Sequence, residues 1–216
     1  MPTKAYAQFQ KNLDTVKRLR DSYDVIREKR ASRGKGAFEH FTRSAILFLA
    51  SAFEVYIEDV TNECCKQNIA QAHDAVNLPH EVRSTLNDYV KRDKTSYSPI
   101  TLCDEGWRIV YKEMVKEATE KLNTPKVQKI TELFKKYIGV TSAEIDALPQ
   151  IDQLDAFVTF RGEITHRVRA TKYVKIEEVE ANEELIEEMV KNIDKMLLRF
   201  FRAKYPNERA PWNNTY

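Results

Sequence analysis

Apolar residues return every three or four positions along most of this chain, and that period predicts helices. Phe9, Leu13, Val16, Leu19, Tyr23 and Ile26 mark a first long helix from about Lys4 to Arg30, which Gly34 and Gly36 end. A second long helix follows, with Phe38, Phe41, Ala45, Phe48, Leu49, Ala52, Tyr56 and Val60 on a face broad enough to expect neighbours on several sides. From Ala72 to Trp107 the pattern loosens around Pro79, Pro99 and the polar run RDKTSYS, with a short helix expected from His80 to about Lys91. This stretch reads as an insertion whose return to the core Trp107 anchors. Helix resumes from about Asp104 to Leu122.

The second half is punctuated more sharply. Thr124-Pro125 offers a cap and a first helical position for a helix carrying Val127, Ile130, Leu133, Phe134 and Tyr137, which stops near Gly139. Thr141-Ser142-Ala143-Glu144 has capping-box spacing for a brief helix. Asp152 is placed to cap the next, with Leu154, Phe157, Val158, Ile164 and Val168 as its apolar positions. A connector containing Tyr173-Val174-Lys175-Ile176 leads to a closing helix from about Asn182 to Lys204. No stretch alternates over the length of a strand. The expectation is an all-α helical bundle with two long N-terminal helices. It forms a single domain over 1–205, with an irregular insertion at about 72–107 and a C-terminal tail over 206–216.

Composition narrows the class without naming a chemistry. A chain of 216 residues with 42% hydrophobic and 31% charged residues is long enough for a real core. Cys64, Cys65 and Cys103 form neither a disulfide framework nor a metal-ligand spacing, and His73 and His80 lack a carboxylate-rich partner pattern. No metal and no cofactor is expected. The start MPTKAYAQFQ carries no secretory h-region, and the most apolar run, near Ala45 to Ile57, is interrupted by Glu54. A cytoplasmic location without membrane association is expected. The net charge of +2 is uninformative, but Lys126, Lys129, Lys135 and Lys136, and separately Arg167, Arg169, Lys172 and Lys175, are local basic groups. Each is either a solvated face or a surface for nucleic acid.

One residue breaks the apolar pattern. On an ideal helix with Arg161 at zero, Leu154, Phe157, Val158, Ile164 and Val168 all fall within about 60° of it. A guanidinium on that stripe snorkels, pairs with an internal carboxylate, or meets a phosphate. His166 lies about 140° round, on the side shared by Asp155, Thr159 and Gly162. A glycine inside a helix costs about 1 kcal/mol against alanine. Gly162 therefore invites either a packing contact with a neighbouring helix or close approach by a ligand.

Arg161-Gly162-Glu163-Ile164-Thr165-His166 has the form Arg-x4-His. Chance alone places about one such pair in a chain of this composition, and Arg33 to His40 is a second copy, across the Gly34–Gly36 break. Context favours the first. LDAFVTFRGEITHRV resembles the motif helix of the HEPN superfamily, LFLASAFEVYIEDV resembles the long core helix of its RiboL-PSP-HEPN branch, and LNTPKVQKITELFKKYIGV resembles that branch's capped helix. The likeness spans about Ala45 to Phe200. Two positions depart from the pattern: Gly162 stands where a polar residue, commonly Asn, is usual, and Arg167 where glycine often follows the histidine.

The resemblance implies a metal-independent endoribonuclease, with toxins and anti-phage effectors as its common settings. A ribose 2′-hydroxyl attacks the adjacent phosphorus, leaving a 2′,3′-cyclic phosphate and a 5′-hydroxyl. It assigns His166 as base or acid, since an unperturbed pKa of about 6.5 suits proton exchange near neutrality. Arg161 becomes the phosphate clamp. Gly162, Arg167, Arg169 and Glu54 become candidate substrate-binding positions, Glu54 with Glu58 being otherwise a solvated i, i+4 pair. Because Arg161 and His166 are so far apart around one helix, either the helix distorts or a second chain completes the site. The resemblance implies the latter, a homodimer with a composite active site, with RNA and an antitoxin protein as partners. The alternatives are an inactive module that binds RNA or protein, and a structural bundle in which Arg161 is ion-paired.

Overall fold

The computed structural model describes residues 2–29, 38–92, 97–123, 125–166 and 173–213, with the backbone but not the side chain of His166. Among these residues there are eight α-helices and no strand: α1 (Lys4–Lys29), α2 (Glu39–Ala72), α3 (His80–Val90), α4 (Gly106–Glu120), α5 (Val127–Tyr137), α6 (Ser142–Asp146), α7 (Ile151–His166) and α8 (Ile176–Lys204). The expected all-α bundle with two long N-terminal helices is what the chain forms. No described helix is long and apolar enough to cross a membrane.

α2 is the axis of the molecule. It is apolar on several sides, and α1, α4, α5, α7 and α8 all pack on it. Its partner α1 runs antiparallel, because the first-turn amides of Lys4 and Ala5 donate to the Glu63 carboxylate late in α2, at 3.2 and 3.1 Å. α1 has no acidic residue in its own first turn, so its exposed N–H groups take carboxylates from elsewhere in the fold. Asp194 of α8 is the second. It accepts the Thr3 amide at 3.2 Å, the Thr3 hydroxyl at 2.9 Å and the Tyr56 hydroxyl at 2.7 Å, while Trp212 donates to its backbone carbonyl at 3.4 Å. Burial pushes its carboxyl up to about 6, against the pull of these donors. The segment after α8 folds back, Trp212 lying edge-on to Phe201.

Around residue 68 a second buried network ties four helices. The Asn68 amide donates to Tyr111 Oη at 2.9 Å and to the Ile138 carbonyl at 3.1 Å, and its Oδ1 accepts from Tyr205 at 3.0 Å. Tyr111 in turn donates to the Tyr137 carbonyl at 2.6 Å. The α5 helix stops there because Gly139 adopts φ +100°, where a side chain would also strike Pro79. Between residues 72 and 107, α3 buries Val82, Leu86 and Tyr89 against α4 and α5, and Trp107 is fully buried.

Local expectations met mixed outcomes. The Thr141–Glu144 capping box forms as read, with Glu144 N donating to Thr141 Oγ1 at 3.3 Å and Thr141 N to Glu144 Oε2 at 2.8 Å. The start of α5 is different: the helix begins at Val127, not Pro125, and its first N–H is taken by Asp155 of α7 at 2.8 Å. Thr124 lies outside the described residues. Asp152 is not a cap but stands inside the first turn of α7, which starts at Ile151 after a sharp turn at Gln150, φ 59°. The closing helix begins at Ile176 rather than near Asn182, its first turn tied by Lys175 N donating to Glu178 at 3.0 Å. Phe48, expected on the buried face of α2, is 51% exposed, and Val55 is 38% exposed beside it.

Candidate active site

α7 carries Arg161 and His166 and is held from three sides, by α2, α5 and α8. Its apolar positions Leu154, Phe157, Val158 and Ile164 are buried, as the period requires. Arg161 projects among them and is only half-buried. Among the described residues no carboxylate lies within ion-pairing distance of its guanidinium. Phe157, Val158 and Arg161 face Ala50, Phe53 and Glu54 of α2 and Pro125 ahead of α5, enclosing a cleft. It is narrow, about 10 Å³, room for roughly one water molecule. A phosphate would meet Arg161 at the rim, the guanidinium swinging outward on its three-carbon stem.

Glu54 thus comes into the same cleft as Arg161, one turn before Glu58. Burial, then the neighbouring Glu54 and Asp59 carboxylates, push the Glu58 carboxyl up, and burial likewise raises Asp59 against the pull of Lys66. This flank of the cleft is therefore acidic, which favours a cationic Arg161 and disfavours deep entry of a polyanion on the α2 side.

The opposite flank is open. A Cβ built at Gly162 would meet nothing within 4 Å, so no neighbouring helix of the same chain requires a glycine there. Of the two readings of Gly162, the intramolecular packing contact is removed and close approach from outside the chain stays. Asp155, expected on the same polar face, turns its carboxylate to the start of α5, and Thr159 bonds back to the Asp155 carbonyl at 2.7 Å. The helix is unbroken from Ile151 to His166, so no distortion carries the histidine round toward Arg161. The His166 side chain, Arg167, Arg169, Lys172 and Val168 lie outside the described residues, as does Arg33 of the second Arg-x6-His pair.

Of the basic groups, Lys126 is exposed next to Pro125 at the cleft, while Lys129 donates to the carbonyl and side chain of Asn123 at 2.8 and 2.9 Å and Lys136 pairs with Glu132 at 3.4 Å. Sequence reasoning did not single out Pro125, Phe157 or Ala50 as cleft residues. Their contribution is shape, which periodicity on one helix does not report. Among the described residues no three His, Cys, Asp or Glu side chains gather in a way that could hold a metal ion.

An all-α bundle whose penultimate helix presents Arg-x4-His beside a narrow, half-acidic cleft is the architecture of a HEPN domain. The sequence profile of the RiboL-PSP-HEPN family matches residues 10–199, and the chain belongs to that family. Searches of curated proteins and of solved structures each return no match.

Proposed function

We propose that this chain is a metal-independent endoribonuclease that cuts RNA by 2′-hydroxyl attack, leaving a 2′,3′-cyclic phosphate. The observation that carries this reading is Arg161, a cation on the apolar stripe of α7 with no carboxylate partner among the described residues. It opens onto a cleft rather than closing an internal ion pair. A fixed positive charge in a poorly hydrated cleft stabilises a phosphorane-like transition state more than it would in water. In this reading His166 moves the protons, Arg161 holds a non-bridging phosphate oxygen, and the bare backbone at Gly162 lets the strand come close. Arg167 and Arg169 hold flanking phosphates.

Since α7 runs straight through His166, the histidine of one chain and the arginine of the same chain point apart, and a second copy is the way to bring the two chemistries to one phosphate. The surface for it is the outer side of α2, where Leu47, Phe48, Ser51 and Val55 form an exposed apolar stripe that ends at Glu54 on the cleft. The working form is a homodimer with a composite active site, acting in the cytoplasm as a toxin or anti-phage effector held in check by an antitoxin protein.

Gly162 favours a second reading, an inactive module that binds RNA or protein, because the polar side chain usual after the arginine is missing and nothing in the fold replaces it. Incubation with RNA in EDTA separates the two. Cleavage that disappears in His166→Ala supports the nuclease. Salt-sensitive RNA binding without cleavage supports the binding module.

A further inference from the structure

α7 and α8 meet over only a short length, and beside that contact a cavity of about 320 Å³ opens to the surface. Its apolar walls are Phe157 and Phe160 of α7 and Leu185 of α8, and its rim carries Gln153, Glu178 and Asn182. No lysine or arginine lines it, so it is not built for phosphate. Aromatic and aliphatic walls with a few amide and carboxylate groups at the edge suit a flat heteroaromatic ring, stacked on phenylalanine and read along its edge.

The polar rim is biased toward acceptors. The Asn182 Nδ2 donates to the Glu178 carbonyl of its own helix at 2.6 Å, which leaves Oδ1 as the atom with capacity to accept from a ligand. Glu178 contributes a carboxylate whose Oε2 takes the Lys175 N–H at 3.0 Å, and a carboxylate has about four lone-pair sites. Gln153 serves either way. Such a rim best meets a ring with two donors side by side on one edge. Among the nucleobases that is guanine, whose N1–H and N2 amino group lie adjacent. Adenine and cytosine offer a single amino donor beside an acceptor nitrogen, and uracil a single N–H between carbonyls.

The cavity is joined to the Arg161 cleft. Phe157 lines both, and Phe160 directly precedes Arg161 in the chain. We propose that the α7–α8 cavity is a guanine-binding subsite, which takes the base neighbouring the phosphate held at Arg161 and gives the enzyme a preference for G-containing RNA. The cutting preference rests on the nuclease reading; the binding of guanine does not.

Chemical-shift titration of the full chain with guanosine, adenosine, cytidine and uridine tests it, nucleosides being chosen so that Arg161 contributes nothing. Guanosine is expected to bind about tenfold tighter than the others, a difference of ~1.4 kcal/mol. Phe160→Ala should lose binding of all four. Glu178→Gln, which keeps an acceptor for the Lys175 N–H, should bring guanosine down to the level of the rest, and Arg161→Ala should leave the titration unchanged. Equal binding of the four nucleosides, no binding, or guanosine binding indifferent to Glu178→Gln overturns the subsite. Cleavage mapping on a mixed-sequence RNA then tells the two readings apart. Cuts without base preference, in a protein that ignores guanosine, sink the subsite and leave the nuclease. Guanosine binding through Phe160 and Glu178 in a protein that never cuts sinks the nuclease and leaves the subsite.

Discussion

Replacing Arg161 with methionine separates what the guanidinium does for chemistry from what it costs the fold. The side chain stands among Leu154, Phe157, Val158 and Ile164, all buried, and its charge has no ion-pair partner among the described residues. Methionine keeps the unbranched stem and ends in a group those neighbours accept. If it buries some 40 Å² of apolar surface in place of the charged head, the gain at ~25 cal/mol/Å² is about 1 kcal/mol. The arginine stem already packs, so a net gain of roughly 0.5–1 kcal/mol is the sober expectation. For a chain of this size that is a rise in Tm of about 2–4 °C, or a few tenths of a molar in urea midpoint. RNA cleavage should fall by about 10²–10³, the usual loss when one preorganised charge-stabilising donor is removed. Parallel urea melts and single-turnover cleavage of the same preparations check both halves. A variant destabilised by more than ~2 kcal/mol would refute the reasoning, because that is the signature of breaking a buried pair.

Other expectations follow from the same geometry. Gly162→Ala meets open space and should stabilise α7 by about 0.5–1 kcal/mol in thermal melts; a clear loss of stability would mean that something packs against that face in solution. Phe48→Asp should leave the monomer folded by circular dichroism but abolish the dimer in light scattering and cleavage with it; a monomeric wild type that cuts RNA contradicts the composite site. Asp194 makes stability depend on pH in a direction opposite to that of an ion-paired carboxylate. Its folded value of about 6 lies above the ordinary 3.8, so the folded chain holds this proton more tightly than the unfolded chain does. Stability should fall by on the order of 3 kcal/mol as pH rises from about 4 to 6. Urea melts of wild type minus Asp194→Asn across that range isolate the slope, and a rise instead of a fall would contradict it.

What could be read from the sequence depended on how local the cause was. The apolar stripe of α7 and the odd arginine on it were legible because period alone puts Leu154, Phe157, Val158 and Arg161 on one side. The Thr141–Glu144 box was legible because both partners lie within one turn. The cap of α5 was not, because Asp155 reaches it from another helix, and Thr124-Pro125 offered a local substitute that the chain does not use. Phe48 misled because α2 is apolar on so many sides that spacing cannot say which side lacks a neighbour. The early start of α8 was hidden by its glutamates: Glu183 sits on the buried side with Val179 and Ile186, where it meets Arg20 at 3.2 Å. The Arg161 cleft and the α7–α8 cavity come from where helices fail to touch, and no pattern along one helix records a gap.

The most direct test compares wild type, Arg161→Ala, His166→Ala and the double variant for RNA cleavage rate in EDTA, with the product ends determined. Groups that act together on one phosphate are strongly non-additive. The expected result is 2′,3′-cyclic phosphate ends from wild type, large losses in each single variant, and a double variant no slower than the worse single one. Undiminished cleavage by either single variant, or losses that multiply in the double, would mean that Arg161 and His166 do not share a reaction.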